Sequence, residues 1–333
     1  MKERLLELLA CPVHGDDIRL ESTTRRDGDE ILEGTLRARC CGTSYAITRG
    51  VPRFASLDAI ESDKAQTAEN FGWEWKHFAR RDERYAEQFL GWIAPVKPEF
   101  FRDKVVLEGG CGKGRHTLLA SEWGARDVVA VDLSEAVDVA FEETRGRANV
   151  HVIQADIYRL PLKRVFDYAF SVGVIHHLPD PRAGFAKLAS RVKSGGHVSV
   201  WVYGAENNEW ITGLVDPVRT RVTSRMSKPA LYQVSKLPTA LVWLASKGVY
   251  GPLARSRRAQ KLGKKLFYND YMVFLSTFDW TEQHHIVFDQ LVAPTAFYVP
   301  RAEFESWWRD IDARDLQLSQ HNQNSWRGFA RVP

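Results

Sequence analysis

The stretch Val105-Val106-Leu107-Glu108-Gly109-Gly110-Cys111-Gly112-Lys113-Gly114-Arg115-His116 decides the fold of this 333-residue chain. Its apolar start reads as a buried strand, which breaks into a glycine turn that opens a helix. Gly110, Gly112 and Gly114 stand at alternate positions, so the backbone can turn sharply and approach a ligand with no Cβ in the way. The helix N-terminus beyond the turn offers unpaired N–H groups to an anion. A dinucleotide fingerprint needs glycine at the first, third and sixth places of such a turn. Here the place three after Gly112 is Arg115, which disfavours conventional NAD binding.

Later segments repeat the geometry. Val128-Val129-Ala130-Val131 ends at Asp132, residues 150–155 end at Asp156, and Tyr168-Ala169-Phe170 ends at Ser171. Helical stretches separate the first of these runs, the alternation that builds a parallel sheet whose ligands bind at the carboxyl ends of the strands. Asp132 lies about twenty residues beyond the turn, the place of an acid that accepts hydrogen bonds from a ribose. Asp180 can cap a helix with Pro181 at its first position. That helix is expected to continue over 183–192 and to stop at Ser194-Gly195-Gly196 before a strand at 197–202.

These residues resemble the class I S-adenosylmethionine-dependent methyltransferases, and closely so the branch that includes ubiquinone and menaquinone methyltransferases. The resemblance makes residues 107–114 the methionine-binding motif, with Glu108, Gly110, Cys111, Gly112 and Gly114 at the cofactor. It makes Val131-Asp132-Leu133-Ser134 the ribose motif, and Ala155-Asp156-Ile157 with Leu160-Pro161 the adenine motif. The segment from Ser171 and Val172 through His176, His177 and Pro181 is similar to the one that lines the transferred methyl group. The implied fold is α/β: a Rossmann-like, doubly wound, seven-stranded sheet whose last strand is antiparallel. Residues 301–309 would be its last helix, with 316–318 and 326–330 the closing antiparallel pair. Cys111 reads as a small packing residue in the turn.

The other three cysteines fall in the first fifty residues, in Cys11-Pro12-Val13-His14 and Cys40-Cys41. This region resembles the small zinc-ribbon-like domain that serves as a methyltransferase activator or is fused ahead of the enzyme. That resemblance implies a tetrahedral zinc site in which Cys11, His14 and Cys41 match three ligand positions. The fourth place is Ala38, and Cys40 is the local thiol that can substitute, although adjacent ligands strain a tetrahedral site. The competing reading is a ribbon held by its own small core, without metal.

The chain thus divides into a zinc-ribbon-like domain (1–56), a linker and aromatic helical segment (57–98), a Rossmann-like core (99–204), a helical lid insertion (205–299) and a closing helix and strands (300–333). Trp75, in the aromatic run at 71–78, can face the sulfonium of the cofactor, or simply pack on the core. The insertion carries 12 Lys or Arg against 7 Asp or Glu, with Arg255-Ser256-Arg257-Arg258 and Lys261, Lys264 and Lys265 clustered. Such a run is a solvated face, or a surface for anionic lipid; tracking of nucleic-acid phosphates ranks last of the three. Polar residues within the apolar run 284–294, and the motif His321-Asn322-Gln323-Asn324, suggest groups aimed into a reaction pocket, or else a satisfied buried network, a reading that suits Asp289 and Asn324 equally.

Hydrophobic content of 44% allows one large core and a smaller module. Leu5-Leu6-Glu7-Leu8-Leu9 is broken by a charge, no run is long enough to span a bilayer, and four cysteines suit a reducing compartment, so a cytoplasmic protein is expected. The expected activity is methyl transfer to a small-molecule or lipid-like acceptor, O-methylation slightly ahead, with peripheral membrane contact through the basic insertion. His177, with His176 beside it, is the expected base or substrate orienter, the competing reading being a His176-His177-Leu178-Pro179 turn that is structural. The alternatives are an RNA methyltransferase, or a cofactor-binding partner that activates another enzyme.

Overall fold

A computed structural model describes residues 1–55, 84–256, 258–292 and 295–333. The linker, most of the aromatic segment and Trp75 lie outside the described residues.

The amino-terminal module is a four-stranded antiparallel sheet of β1 (Ile18–Asp27), β2 (Glu30–Ala38), β3 (Ser44–Thr48) and β4 (Val51–Pro52). The core sheet has seven strands: β5 (Val105–Gly109), β6 (Asp127–Asp132), β7 (Val150–Gln154), β8 (Phe166–Val172), β9 (Val192–Tyr203), β10 (Arg314–His321) and β11 (Ser325–Arg331). Their spatial order is β10-β11-β9-β8-β5-β6-β7. Strands β5 to β9 pair in parallel, and β11 closes antiparallel on β9. This is the doubly wound seven-stranded sheet that the motifs imply.

The unbroken apolar runs follow from burial on both faces. Val106, Val128 and Ala130 pack with Phe89, Phe101 and Phe170, while Leu107, Val129 and Val131 join a second cluster with Phe185, Leu188 and Trp308. The chain winds from β5 to β7 on one side and returns to β8 on the other. The winding therefore reverses at β5, and a crevice opens at the carboxyl ends there.

One boundary differs from the sequence reading. The helix Pro181–Ala189 stops early and β9 starts at Val192, so Ser194-Gly195-Gly196 lies inside the strand. Val192 pairs with Phe166, and the register shifts before His197 meets Tyr168. Gly195, at φ +78°, absorbs the irregularity. Between β9 and the helix Arg301–Asp310 the insertion is helical, from Asp216–Arg221 to the longest helix, Trp280–Val292. No helix among the described residues is long and apolar enough to cross a membrane.

Candidate active site

The glycine turn is built by its own hydrogen bonds. Gly110 and Cys111 N–H donate to the Val131 carbonyl at 2.7 and 2.9 Å, which ties the end of β5 to the end of β6. The Asp132 carboxylate accepts from Gly112 N–H at 2.8 Å through one oxygen, and from Ser134 N–H and Oγ at 2.8 and 2.7 Å through the other. Gly110 has φ +82°, and a Cβ there would stand 2.3 Å from Val174 Cγ2, so only glycine fits. The Cys111 thiol is buried, and burial beside Asp132 and Glu108 pushes its pKa well up. It stays a thiol, as a packing residue should.

A cavity of about 600 Å³ opens above these strand tips. Gly110, Cys111, Gly112, Asp132, Leu133, Asp156, Ile157, Val172 and His177 all line it. Asp156 caps the short turn after β7, accepting from Tyr158 N–H at 2.9 Å. Four other residues proposed from the motifs sit behind the wall. Glu108 is buried, accepting from Thr117 Oγ1 and lying 3.3 Å from His116 Nδ1. Ser171 Oγ donates to the Gly109 carbonyl at 2.7 Å. Gly114 caps the helix Arg115–Glu122, with the Ala140 methyl 3.3 Å from where its Cβ would be. His176 is fully buried, packed against the Tyr203 ring at 4.0 Å, and neither ring nitrogen has a hydrogen-bond partner. Burial drives its pKa far down. The pair thus splits, and only His177 faces the cavity.

His177 Nδ1 lies 2.6 Å from the Thr295 carbonyl. A carbonyl can only accept, so Nδ1 carries the proton and Nε2 is the accepting nitrogen. Burial lowers the pKa to about 4 against the opposing effect of Thr295, leaving a neutral imidazole at pH 7.

The insertion supplies the opposite wall, with Trp210, Tyr271, Asp289, Gln290 and Tyr298 among the lining residues beside Tyr203 at the end of β9. Gln290 Nε2 donates to the Tyr203 hydroxyl at 2.7 Å, and that hydroxyl points to Asp289 Oδ2 at 3.4 Å. Burial raises the Tyr203 and Tyr271 phenols and takes Tyr298 to about 12, so all three remain donors. His321, Asn322 and Asn324 also reach the cavity, as the carboxyl-terminal motif suggested. His284 does not; its Nε2 is 2.8 Å from Ser235 Oγ within the insertion.

Sequence reasoning missed the cluster that joins the two walls. Glu282 accepts from the Tyr85 hydroxyl at 2.7 Å, lies 3.5 Å from His285 Nδ1 and 3.9 Å from Arg115, and lines the cavity with Arg115 and His285. Arg115 in turn stacks over the Tyr85 ring at 4.0 Å. Burial alone would raise Glu282, but the hydrogen bond and charge of His285, the charge of Arg115 and the Tyr85 hydroxyl bring it down to about 2. The signal was faint: Arg115 departs from a nucleotide fingerprint, and nothing local links it to residue 282.

In the amino-terminal module, the ligand atoms of Cys11, His14, Cys40 and Cys41 all lie within 4.8 Å of one another. Cys11 Sγ is 3.7 Å from His14 Nδ1 and 4.0 Å from Cys41 Sγ, and Cys40 Sγ is 3.4 Å from His14 Nδ1. The edges of a tetrahedral zinc site are about 3.4–3.8 Å. The donor set suits that ion, and the gaps of 3.4 to 4.0 Å lie at or slightly beyond those edges, with adjacent Cys40 and Cys41 both inside the cluster.

Comparison with known proteins matches residues 107–200 to the methyltransferase domain family and residues 2–50 to the Trm112p-like family. The tRNA U34 carboxymethyltransferase of Psychromonas ingrahamii is 33% identical over 128 residues, 37% of this chain and 38% of that protein. The protein of the same name from Pseudoalteromonas translucida is 27% identical over 170 residues, 50% of this chain and 48% of that one. The chain therefore spans half or less of these curated relatives. An S-adenosylmethionine-dependent methyltransferase from Mesorhizobium loti is 26% identical over 31% of this chain and 48% of its own, with a TM-score of 0.30. The two curated relatives correct three expectations. They are named for tRNA, not for ubiquinone or menaquinone, and they overturn both the small-molecule or lipid-like acceptor and the low rank given to nucleic acid.

Proposed function

We propose that this chain, a class I S-adenosylmethionine-dependent methyltransferase domain behind a Trm112-like module, transfers the activated group of its donor to a base of RNA, tRNA foremost. The observation that carries the reading is the likeness to enzymes named for carboxymethylation of tRNA U34. The cavity supports it. Trp92, Trp201, Tyr203, Trp210 and Tyr271 offer ring faces on which an extruded base can stack, and Asp289, Gln290 and Asn324 offer donors and acceptors for its edges. A cytoplasmic location belongs to the same reading, supported by four cysteines of which none is in a disulfide.

The donor, when bound, supplies a one-carbon group on a sulfonium whose positive charge disappears on transfer. The chain's own part is to hold, align and exclude water. Asp132 spends three of about four lone-pair sites on the turn and keeps one for a ribose hydroxyl. Leu133, Asp156 and Ile157 form the adenine side, and Val172 the methyl side. His177, neutral and fixed by Thr295, orients the acceptor by accepting a hydrogen bond at Nε2. Its depressed basicity makes it a poor base. His285, with the Glu282 carboxylate beside Nδ1, is the group suited to take a proton on the other wall. Zinc, held by Cys11, His14, Cys40 and Cys41, would close a structural site with no open position.

The test is to incubate the protein with total tRNA and S-adenosylmethionine labelled in its methyl group, digest to nucleosides and weigh them. A labelled nucleoside heavier than its parent by one methyl group is expected. Turnover of hydrophobic small acceptors, with no label in any RNA, sinks the proposal.

A further inference from the structure

The insertion contains one strip of charge that nothing in the cavity uses. Between Arg255 and Asn269 the sequence has no acidic residue. Arg255, Arg258, Lys261, Lys264 and Lys265 are all exposed there, and among the described residues none of the five enters an ion pair. The strip leads directly into Phe267 and Tyr268. Phe267 is 63% exposed, a large apolar ring left in water at the end of a run of cations.

These two rings belong to a cluster at the cavity mouth. Phe267 stacks on Tyr268 with centroids 5.2 Å apart, and Trp210 meets both edge-on at 6.0 and 5.7 Å. Trp210 is itself 38% exposed and, like Tyr268, lines the cavity. The cluster is held in place rather than merely collapsed. Tyr250 donates to the Phe267 carbonyl at 2.7 Å, and the Tyr268 hydroxyl donates to Asn208, whose amide donates to the carbonyls of Gly204 at 2.6 Å and Asn324 at 2.7 Å. Tyr268 takes φ +57°, a left-handed conformation that a bulky residue adopts at a cost. That backbone turn is what swings the rings from the basic strip to the mouth.

Resting on the RNA-acceptor reading, we propose that Arg255, Arg258, Lys261, Lys264, Lys265 and the Phe267–Tyr268 pair, together with Trp210, form the surface on which a single-stranded RNA loop docks. The cations track its phosphates, Phe267 and Trp210 receive flanking bases, and the nucleotide to be modified enters the cavity past the side of the cluster that Trp210 and Tyr268 turn toward it. Positive charge interleaved with exposed ring faces is the arrangement that holds unpaired nucleotides irrespective of sequence. A membrane surface would use the same cations but has no need of a ring whose hydroxyl is hydrogen-bonded to Asn208 at the cavity mouth.

Three proteins test this: the wild type, a Lys261→Gln, Lys264→Gln, Lys265→Gln triple variant, and Phe267→Ala. Each is titrated with total tRNA across a salt series, with S-adenosylmethionine affinity as the measure of an intact core. The triple variant is expected to lower the slope of log affinity against log salt by about 2, from roughly 0.7 per lost contact to a single strand. Phe267→Ala is expected to weaken tRNA binding roughly 5- to 100-fold at an unchanged slope, the loss of one stacked base. Donor affinity stays as in the wild type for both. A wild type that labels tRNA, with a triple variant of unchanged slope, overturns this surface and leaves the RNA acceptor standing. A wild type that labels no RNA removes both. Loss of binding to phosphatidylglycerol vesicles with tRNA binding unaltered makes the strip a membrane contact and overturns the proposal.

Discussion

Asp132 does two jobs at the residue scale, and the geometry ranks them. Three hydrogen bonds from Gly112 and Ser134 make its carboxylate the pin of the glycine turn, before any ligand arrives. An amide at this position would set its NH₂ against an N–H on one side. Asp132→Asn should therefore weaken S-adenosylmethionine binding by about 10- to 100-fold, the worth of one or two charge-assisted hydrogen bonds. Calorimetry reads it directly, and wild-type affinity in that variant would remove Asp132 from the donor site. Its position could be read from the sequence because a strand tip after an apolar run is a local signal. The inward turn of Glu108 could not, because strand alternation gives the face and not what covers it.

At the scale of elements, Glu282 couples the helix Trp280–Val292 to the helix Arg115–Glu122. With its pKa lowered from an ordinary 4.5 to about 2, Glu282 contributes stability that is complete above about pH 4.5 and lost as the pH falls toward 2. His177 works in a higher window: lowered from 6.5 to about 4, it contributes stability that is present above 6.5 and lost as the pH falls to 4. Melting temperatures across pH should separate the two. Glu282→Gln flattens the curve below 4.5, and His177→Asn flattens it between 6.5 and 4. A curve unchanged in both variants would mean that neither group is linked to folding. The cysteine cluster makes its own prediction at this scale. One zinc per chain is expected by metal analysis, with a strong chelator or Cys11→Ser lowering the melting temperature of the module; a metal-free protein of equal stability would contradict it.

At the scale of the whole molecule, the amino-terminal sheet is tied to the edge of the core sheet. Arg53 bridges to Gln154 beside β7, with Arg53 NH1 3.1 Å from Gln154 Oε1, and Phe54 N–H donates to the Gln154 carbonyl at 2.8 Å. The Gln154 amide then donates to the Leu133 carbonyl at 3.0 Å, so the module braces a wall of the cavity from behind. Arg4 pairs with the buried Asp127 at the start of β6, the neighbouring strand, at 2.6 Å. Gly50 sets the closest approach: its φ is +82°, and a Cβ would stand 2.3 Å from the Phe141 ring. Gly50→Val should lower the melting temperature by roughly 5–10 °C through overpacking and backbone strain. It should also weaken donor binding through Leu133. A stable variant with normal donor affinity would mean that the module rides on the core without supporting it.

The sequence by itself determined the strands, the glycine turn and the acids at the strand tips. Each depends on side chains within a few residues of one another, and on the steric rules of the backbone between them. It misplaced the start of β9, because Gly195-Gly196 signals a stop as readily as a bulge. Only the tertiary structure decided which histidine faces the cavity, that Glu282 meets Arg115, and that residues from 88 to 324 close one chamber. Those facts are contacts between elements far apart in the chain, set by how whole faces pack, and no local spacing encodes them.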